Sequence, residues 1–369
     1  MKITIERGAL LKALNHVQSV VERRNTIPIL ANVLLSAEDG QLSLTATDLD
    51  IEIVEGVPAD IATAGGTTAP AHTMYDIVRK LPDGAQIEIN HDTESGKVTV
   101  TAGRSRFALQ SLPREDFPAA AAGDLPYSFE LSTKDLFRLV DKTRFAISTE
   151  ETRYYLNGIY LHAVDGKLRA VATDGHRLAR VDMALPKGAD GMPGIIVPRK
   201  TVTELLKLLE AGGDAVVKVA VSDTKIRFEV GSVILTSKLI DGTFPDYGRV
   251  IPTENDKSME VDGKLFASAV DRVSTISTER SRAVKLDLDD GKVTLAVNNP
   301  DSGSATEELG VDYKGDALEI GFNARYLLDI TQQLDGPTAH FELSDAGSPT
   351  VVRDGDDPEA LYVLMPMRV

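Results

Sequence analysis

The chain has 369 residues, with 40 Lys or Arg against 56 Asp or Glu, a net charge of −16 at pH 7, no Cys and six His. That excludes disulfides, thiolate metal sites and cysteine nucleophiles, and it argues against a nucleic-acid binder unless the basic groups are gathered on one face. With 42% hydrophobic and 26% charged residues the composition is that of a folded globular protein, too long for one core and fitting three domains of roughly 120 residues.

Along the first third, KITIE reads as a strand and residues 8–20 as a helix, with Leu10, Leu11, Leu14 and Val17 at helical spacing. A hairpin follows, NVLLSAEDGQLSLTATD, then a strand at 51–57 and a second helix at 73–81 that Pro82 and Gly84 stop. QIEIN, KVTVTA and RFALQSL complete this part as strands. The middle third repeats the order: helix 133–144, the hairpin NGIYLHAVDGKLRAVAT, and helix 199–210 between Pro198 and Gly212-Gly213. AVVKVAV, KIRFEV and VILTSKLI close it. The last third has a helix at 263–273, the hairpin AVKLDLDDGKVTLAVNN, a helix at 323–334, and the strands AHFELS, TVVRD and ALYVLMPM.

The three Asp-Gly turns, at Asp39-Gly40, Asp165-Gly166 and Asp290-Gly291, are offset by 126 and 125 residues. Asp-Gly between alternating apolar runs supplies the positive backbone angles of a tight hairpin. A period this long means three copies of a whole domain rather than a solenoid. Phe117-Pro118 and Phe244-Pro245 repeat 127 residues apart. We therefore expect an α+β chain of three similar domains, residues 1–122, 127–252 and 257–369, each with two helices on antiparallel sheets.

The six expected helices hold 13 Lys or Arg and 7 Asp or Glu, so they sum to +6 within a chain of −16. A helical face of this kind can attract phosphates while acidic sheets repel nonspecific contact. Candidates are Arg24, Lys80, Arg138, Lys142, Arg199, Lys200, Lys207 and Arg272, each of which also reads as an ordinary solvated residue. His16, His72, His91, His162, His176 and His340 have no metal-ligand spacing. Asp174 and His176 form an acid-base pair in type alone, with no nucleophile beside them, so catalysis is not expected. Lys2, Glu6 and Arg7 break the opening, no apolar run has membrane length, and a cytoplasmic protein is expected.

RYYLNGIYLHAVDGKLRAVATDGHRLA, IIVPRK, TSKLIDGTFPDYGRVIP, IGFNARYLLDI and the final YVLMPMR, with TIPILANVLL and GRSRFALQSLP upstream, closely resemble the bacterial DNA polymerase III beta subunit, the replication sliding clamp. The resemblance spans the whole chain. It implies half of a closed ring: a head-to-tail homodimer whose helices line a hole around double-stranded DNA, without catalysis or cofactor. It also implies tethering of the replicative polymerase alpha subunit, a clamp loader, and other polymerases and repair proteins docking by short peptides. A bacterial cytoplasmic, nucleoid- and replisome-associated protein with no membrane partner follows from it.

By the same resemblance, Leu156, Thr173, Gly175, His176, Arg177, Leu178, Pro245, Arg249, Val250, Asn323, Tyr326, Val363, Met365, Pro366, Met367 and Arg368 form the peptide pocket. In it Leu178, Val250 and Met365 offer apolar surface, while His176 and Arg177 orient the peptide; Leu178 and Met365 also read as plain packing. Arg24, Arg153, Tyr154 and Tyr155 fall near the DNA path, with Glu150 disfavouring close phosphate contact there. Phe107 and Leu109 match one side of the ring closure and Thr275 and Ile276 the other, with Arg104 and Arg106 facing Glu307. Because 301–308 is poor in acids and Met74 stands where a basic partner is possible, closure is expected to rely on apolar and backbone pairing. A clamp-like peptide-binding hub that rarely holds DNA is the competing reading.

Overall fold

All three Asp-Gly pairs close two-residue hairpins in the computed structural model, which describes residues 1–118, 123–277 and 282–369. Glu38 pairs with Gln41, Val164 with Lys167 and Asp289 with Lys292. Asp39 (φ 50°) and Gly40 (φ 76°), like Asp165 (50°) and Gly166 (70°), both take positive φ, as a type I′ turn requires. In each copy the glycine carbonyl then accepts from a residue at the end of the next strand: Ala59, Leu185 and Val311, at 3.0, 3.0 and 3.1 Å. The repeat is thus one of hydrogen bonding as well as of sequence.

The helices are α1 (Arg7–Gln18), α2 (Ala71–Lys80), α3 (Thr133–Arg144), α4 (Arg199–Ala211), α5 (Gly263–Ser274) and α6 (Ala324–Thr331). They stand where the 3.6-residue pattern places them. The last is shorter than the expected 323–334: Asn323 caps its start, Oδ1 accepting from Arg325 N at 3.0 Å, and the helix ends at Thr331 with Gln332 as its C-cap. Leu10, Leu14 and Val17 of α1 are fully buried, each worth about 1.5–3 kcal/mol against exposure. Met74, considered as a replaced closure residue, is instead a fully buried core residue of α2.

Strand pairing bridges the joints between sequence repeats. Strand Ile51–Pro58 of the first repeat pairs with Val233–Lys238 of the second, within an eight-stranded sheet. Arg177–Ala184 pairs with Asp357–Leu364 inside a nine-stranded sheet in the same way. The chain consequently gathers into two compact units. One contains Met1–Phe137, Pro186–Pro193 and Lys200–Leu239, with the eight-stranded and a five-stranded sheet; the other contains Arg138–Leu185, Gly194–Arg199 and Ile240–Val369, with the nine-stranded and a four-stranded sheet. All pairings are antiparallel. The five-stranded sheet ends on Ser105–Gln110 and the four-stranded sheet on Gly303–Gly310. The expected first boundary, at 122, lies outside the described residues.

Candidate docking cleft and cationic positions

The turn Thr173–Asp174–Gly175–His176 follows the middle hairpin, and at Gly175–His176 it departs from the first repeat's Thr47–Asp48–Leu49–Asp50. Asp174 Oδ1 accepts from the backbone N–H groups of His176 (2.9 Å) and Arg177 (3.0 Å), and Thr173 Oγ1 donates to the Arg177 carbonyl at 2.7 Å. Gly175 sits at φ 88°, and a Cβ there would come within 2.6 Å of Arg153 Nη1. This turn starts the strand that pairs Leu178 with Val363. The chain end follows its register: Met365 N–H donates to the His176 carbonyl (2.9 Å) and Met367 N–H to the Gly321 carbonyl (2.8 Å).

Leu156, Leu178 and Val363 share one buried cluster with Phe244 and Leu361, and Tyr155, Tyr160, Tyr247 and Ile251 pack against it. Val250 is 47% exposed and Met365 37%, so these two carry the apolar surface. Leu178, expected to offer surface, is 1% exposed: strand pairing on the sheet turns it into the packed floor. Pro245, Arg249, Gly175, His176 and Arg368 are exposed, and Asn323, Tyr326, Pro366 and Met367 half-buried around this floor. Arg249 spends its charge on Asp246 at 2.8 Å.

Arg177, expected to orient a peptide, is bonded within the chain. It is 9% exposed, with Nε on Asp174 (3.2 Å), Nη1 on Asp329 and Nη2 on the Phe145 carbonyl (2.7 Å). Its guanidinium lies 4.3 Å from the Tyr326 ring centre and 5.2 Å from that of Phe145. Through these bonds Arg177 fixes the turn to α6. The same bonds occupy Asp174, so it is no general acid partner for His176.

The lip bearing Val250 is pinned by Tyr247, whose hydroxyl lies 2.9 Å from His162 Nε2 and accepts from Arg169 Nη1 at 3.2 Å. Arg169 in turn holds Asp182 through both oxygens, at 2.7 and 2.8 Å. Burial, reinforced by Arg169, pushes the His162 imidazole from 6.5 down to about 4. The folded chain therefore binds this proton less readily than the unfolded one, so stability present above about pH 6.5 is lost as pH falls toward 4. Allowing for the ring's partial exposure, the loss is about 1–2 kcal/mol. Denaturant titrations should show His162→Gln with a flatter profile across this window; an unchanged slope would count against the assignment.

The cationic positions divide. Arg24, Lys80, Arg199 and Lys207 are exposed, Lys207 leaning on Glu204 at 2.8 Å. Arg138 and Lys142, expected to face phosphate, are both bonded within the chain. Arg138 binds Asp357 (2.5 Å) and the Asp182 carbonyl (3.1 Å), while the buried Lys142 amine donates to the Gln333 carbonyl (2.6 Å) and pairs with Asp335 (2.8 Å). A buried amine already surrounded by acceptors gains nothing from a phosphate. Lys142→Met should thus cost about 1–3 kcal/mol in chemical unfolding yet leave DNA retention unchanged; weaker retention at full stability would refute this.

Lys200 is likewise engaged, by Glu22 (2.5 Å), Asp48 (2.6 Å) and the Val20 carbonyl (3.1 Å). Arg153 is held by Glu150 through 2.7 and 2.9 Å bonds, beside exposed Tyr154 and half-buried Tyr155. Arg272 chelates Glu307 (2.5 and 3.0 Å) within the chain. Arg104 and Arg106 are exposed, Phe107 and Leu109 half-buried on an end strand, Thr275 exposed and Ile276 half-buried after α5. Among the described residues no acidic, His or Cys cluster suits a metal ion, and no helix is long and apolar enough to cross a membrane.

Sequence reasoning missed Asp329, Phe145, Phe244 and Tyr247. Phe244 and Tyr247 lie in the quoted TFPDYGRVIP motif, but the Phe-Pro pair registered as a repeat marker. Asp329 gives no local signal, since its partner is 152 residues away.

The family models of the DNA polymerase III beta subunit match in order, its N-terminal domain on residues 1–121, central domain on 130–246 and C-terminal domain on 248–368. The chain belongs to this family. The beta sliding clamp of Caulobacter vibrioides is 58% identical over 373 residues, and that of Escherichia coli 41% over 370, each covering all of both chains. Among solved structures, the Bartonella birtlesii sliding clamp bound to griselimycin matches with TM-score 0.98 at 55% identity, covering both chains fully. The Pseudomonas aeruginosa clamp bound to griselimycin matches at 0.96 and 43%, again with full coverage of both. The family's role is that of a DNA sliding clamp, a non-catalytic subunit that encircles DNA and tethers polymerase for processive synthesis, and this is the function of the chain.

Proposed function

We propose that two copies of this chain close head to tail into a ring around duplex DNA, each contributing three domains with limits at 1–122, 127–252 and 257–369. The observation that carries the reading is a pair of sheet ends. The five-stranded sheet stops at Ser105–Gln110 and the four-stranded sheet at Gly303–Gly310, both long enough to add a strand across a subunit boundary. Phe107 and Leu109 of one copy meet Thr275 and Ile276 of the next, and backbone pairing supplies most of the closure.

Arg24, Lys80, Arg199 and Lys207, with Arg153, Tyr154, Tyr155 and Arg272 at its margins, make loose phosphate contacts that hold no base sequence and permit sliding. The cleft between Val250 and Met365 receives short apolar peptides of the polymerase alpha subunit, the clamp loader, other polymerases and repair proteins. Methionine suits such exchange because its unbranched side chain adapts to several shapes. On this reading the protein works in the bacterial cytoplasm, at the replisome on the nucleoid. The test is topological: loaded by a clamp loader onto nicked circular DNA, the protein should stay bound and be lost on linearisation. Release at the same rate from circular and linear DNA would overturn the ring.

A further inference from the structure

The floor of the cleft continues, on the same sheet face, to a guanidinium. Side chains alternate between faces along the strand Arg177–Ala184, so Leu178, Arg180 and Asp182 share one face, with Arg180 about 7 Å along the strand from Leu178. Its cross-strand neighbours are Val171 and Leu361, both members of the buried cluster that holds Leu178. The first repeat shows what folding alone asks of this position. Thr47 and Thr173 make the same turn, each hydroxyl donating to the carbonyl four residues on, at 2.9 and 2.7 Å. Counted from there, the counterpart of Arg180 is Val54, which pairs with Ile234 as Arg180 pairs with Leu361. The scaffold accepts an aliphatic side chain where the middle repeat carries a charge.

That charge lacks a counterion of its own. Asp182 is the ion-pair partner of Arg180, at 3.8 Å, yet both oxygens of this carboxylate are already held by Arg169 at 2.7 and 2.8 Å. On the same face of the neighbouring strands, Glu342 is taken by Arg353 (2.9 Å) and Glu359 by Lys167 (2.5 Å). Arg180 is therefore the surplus cation. Among the described residues its guanidinium donates no hydrogen bond, and its Nε is buried without a partner. The side chain is 23% exposed, and burial, with Arg169 and Arg353 beside it, lowers its pKa from the ordinary arginine value. A half-buried charge in this state is stabilised by an anion that reaches it.

We propose that Arg180 is a specificity-determining residue of the docking cleft, selecting partner peptides that carry a carboxylate beside the apolar side chain seated on the Leu178 floor. The apolar anchor lies between Val250 and Met365, and the carboxylate supplies the counterion that Asp182 does not. An extended peptide rises about 3.3 Å per residue, so an acid one or two positions from the anchor spans the distance. A partner with a neutral side chain there leaves Arg180 unpaired and binds more weakly. The proposal rests on the docking role of the 173–178 cleft.

Fluorescence anisotropy with the full chain and two fluorescein-labelled hexapeptides, Ser-Glu-Leu-Leu-Glu-Ser and Ser-Gln-Leu-Leu-Gln-Ser, reads the selection. Acids on both sides of the anchor make the result independent of peptide direction. The Glu peptide should bind about fivefold or more tightly than the Gln peptide at low salt, and lose most of that preference at about 0.5 M salt. In Arg180→Met the preference should vanish while the Kd of the Gln peptide stays unchanged, and Arg180→Lys should keep part of it. Methionine fills the same slot beside Val171 and Leu361 and removes an unpaired charge, so the thermal midpoint should equal or exceed that of the parent and lost selection is not lost folding. Equal binding of the two peptides by the parent, or an undiminished preference in Arg180→Met, would overturn the role of Arg180 and leave the cleft standing. Binding of neither peptide up to about 1 mM, or binding indifferent to Val250→Asp, would sink the cleft reading and the selection with it.

Discussion

Arg177→Ala is expected to lower the stability of the chain by about 2–4 kcal/mol and to weaken peptide docking at the Val250–Met365 cleft at the same time. The side chain is 9% exposed and answers two carboxylates, Asp174 and Asp329, which are themselves 16% and 25% exposed. Removing it leaves both acids short of their partner, frees the Phe145 carbonyl and opens a gap between the Phe145 and Tyr326 rings. The cost is set below that of a fully buried pair because Asp329 keeps some access to water and a distant Arg325 at 4.0 Å.

Docking suffers because Arg177 ties the 174–176 turn to α6, and the His176 carbonyl in that turn is the anchor for Met365. Arg177→Lys should rescue little: an ammonium cannot reach three acceptors in a fork or lie flat against two rings. Urea unfolding and anisotropy with a polymerase-derived peptide measure the two effects. A variant as stable as the parent, or one that loses stability yet binds normally, would contradict the structural role given to Arg177.

Much of the scaffold was legible because its signals are local. The Asp-Gly turns, the six apolar stripes and Pro198 before α4 each act within a few residues, and the structure places hairpins and helices there. The third turn shows the limit: Gly291 has φ 74°, but Asp290 is not among the positive-φ residues, its N–H being taken by Asp289 Oδ1 at 2.8 Å. The site was less legible because its decisive contacts are distant in sequence. Composition marks Lys142 and Arg138 as helix cations, and nothing near them reveals that Asp335 and Asp357, some two hundred residues on, will claim them. The Leu178 floor and the Arg272–Glu307 pair escape for the same reason. Charge counted by element overstates what is free to meet DNA.

Replacing Phe107 and Leu109 together by glutamate should convert the dimer to monomers and abolish retention on circular DNA. Both side chains are half-buried on an end strand, so the chain should still fold; what changes is the surface offered to a second copy. Burying the remaining half of two apolar side chains at the closure contributes about 1.5–3 kcal/mol, so their loss raises the dimer Kd by about 10–10², and burying carboxylates in their place raises it further. The new acids would also face a strand carrying Glu308, held by Lys292 at 3.2 Å, and Glu307, already satisfied by Arg272. Neither offers a free cation in return, so the like-charge penalty is not offset. Sedimentation at micromolar concentration reads the association, and circular dichroism verifies the fold. Because holding a ring on DNA depends on closure while loose phosphate contact does not, the variant should keep its weak, salt-sensitive affinity for linear duplex. A double variant that still sediments as a dimer would move the closure away from this edge, and one that is monomeric yet remains on nicked circles would remove encirclement as the basis of processivity.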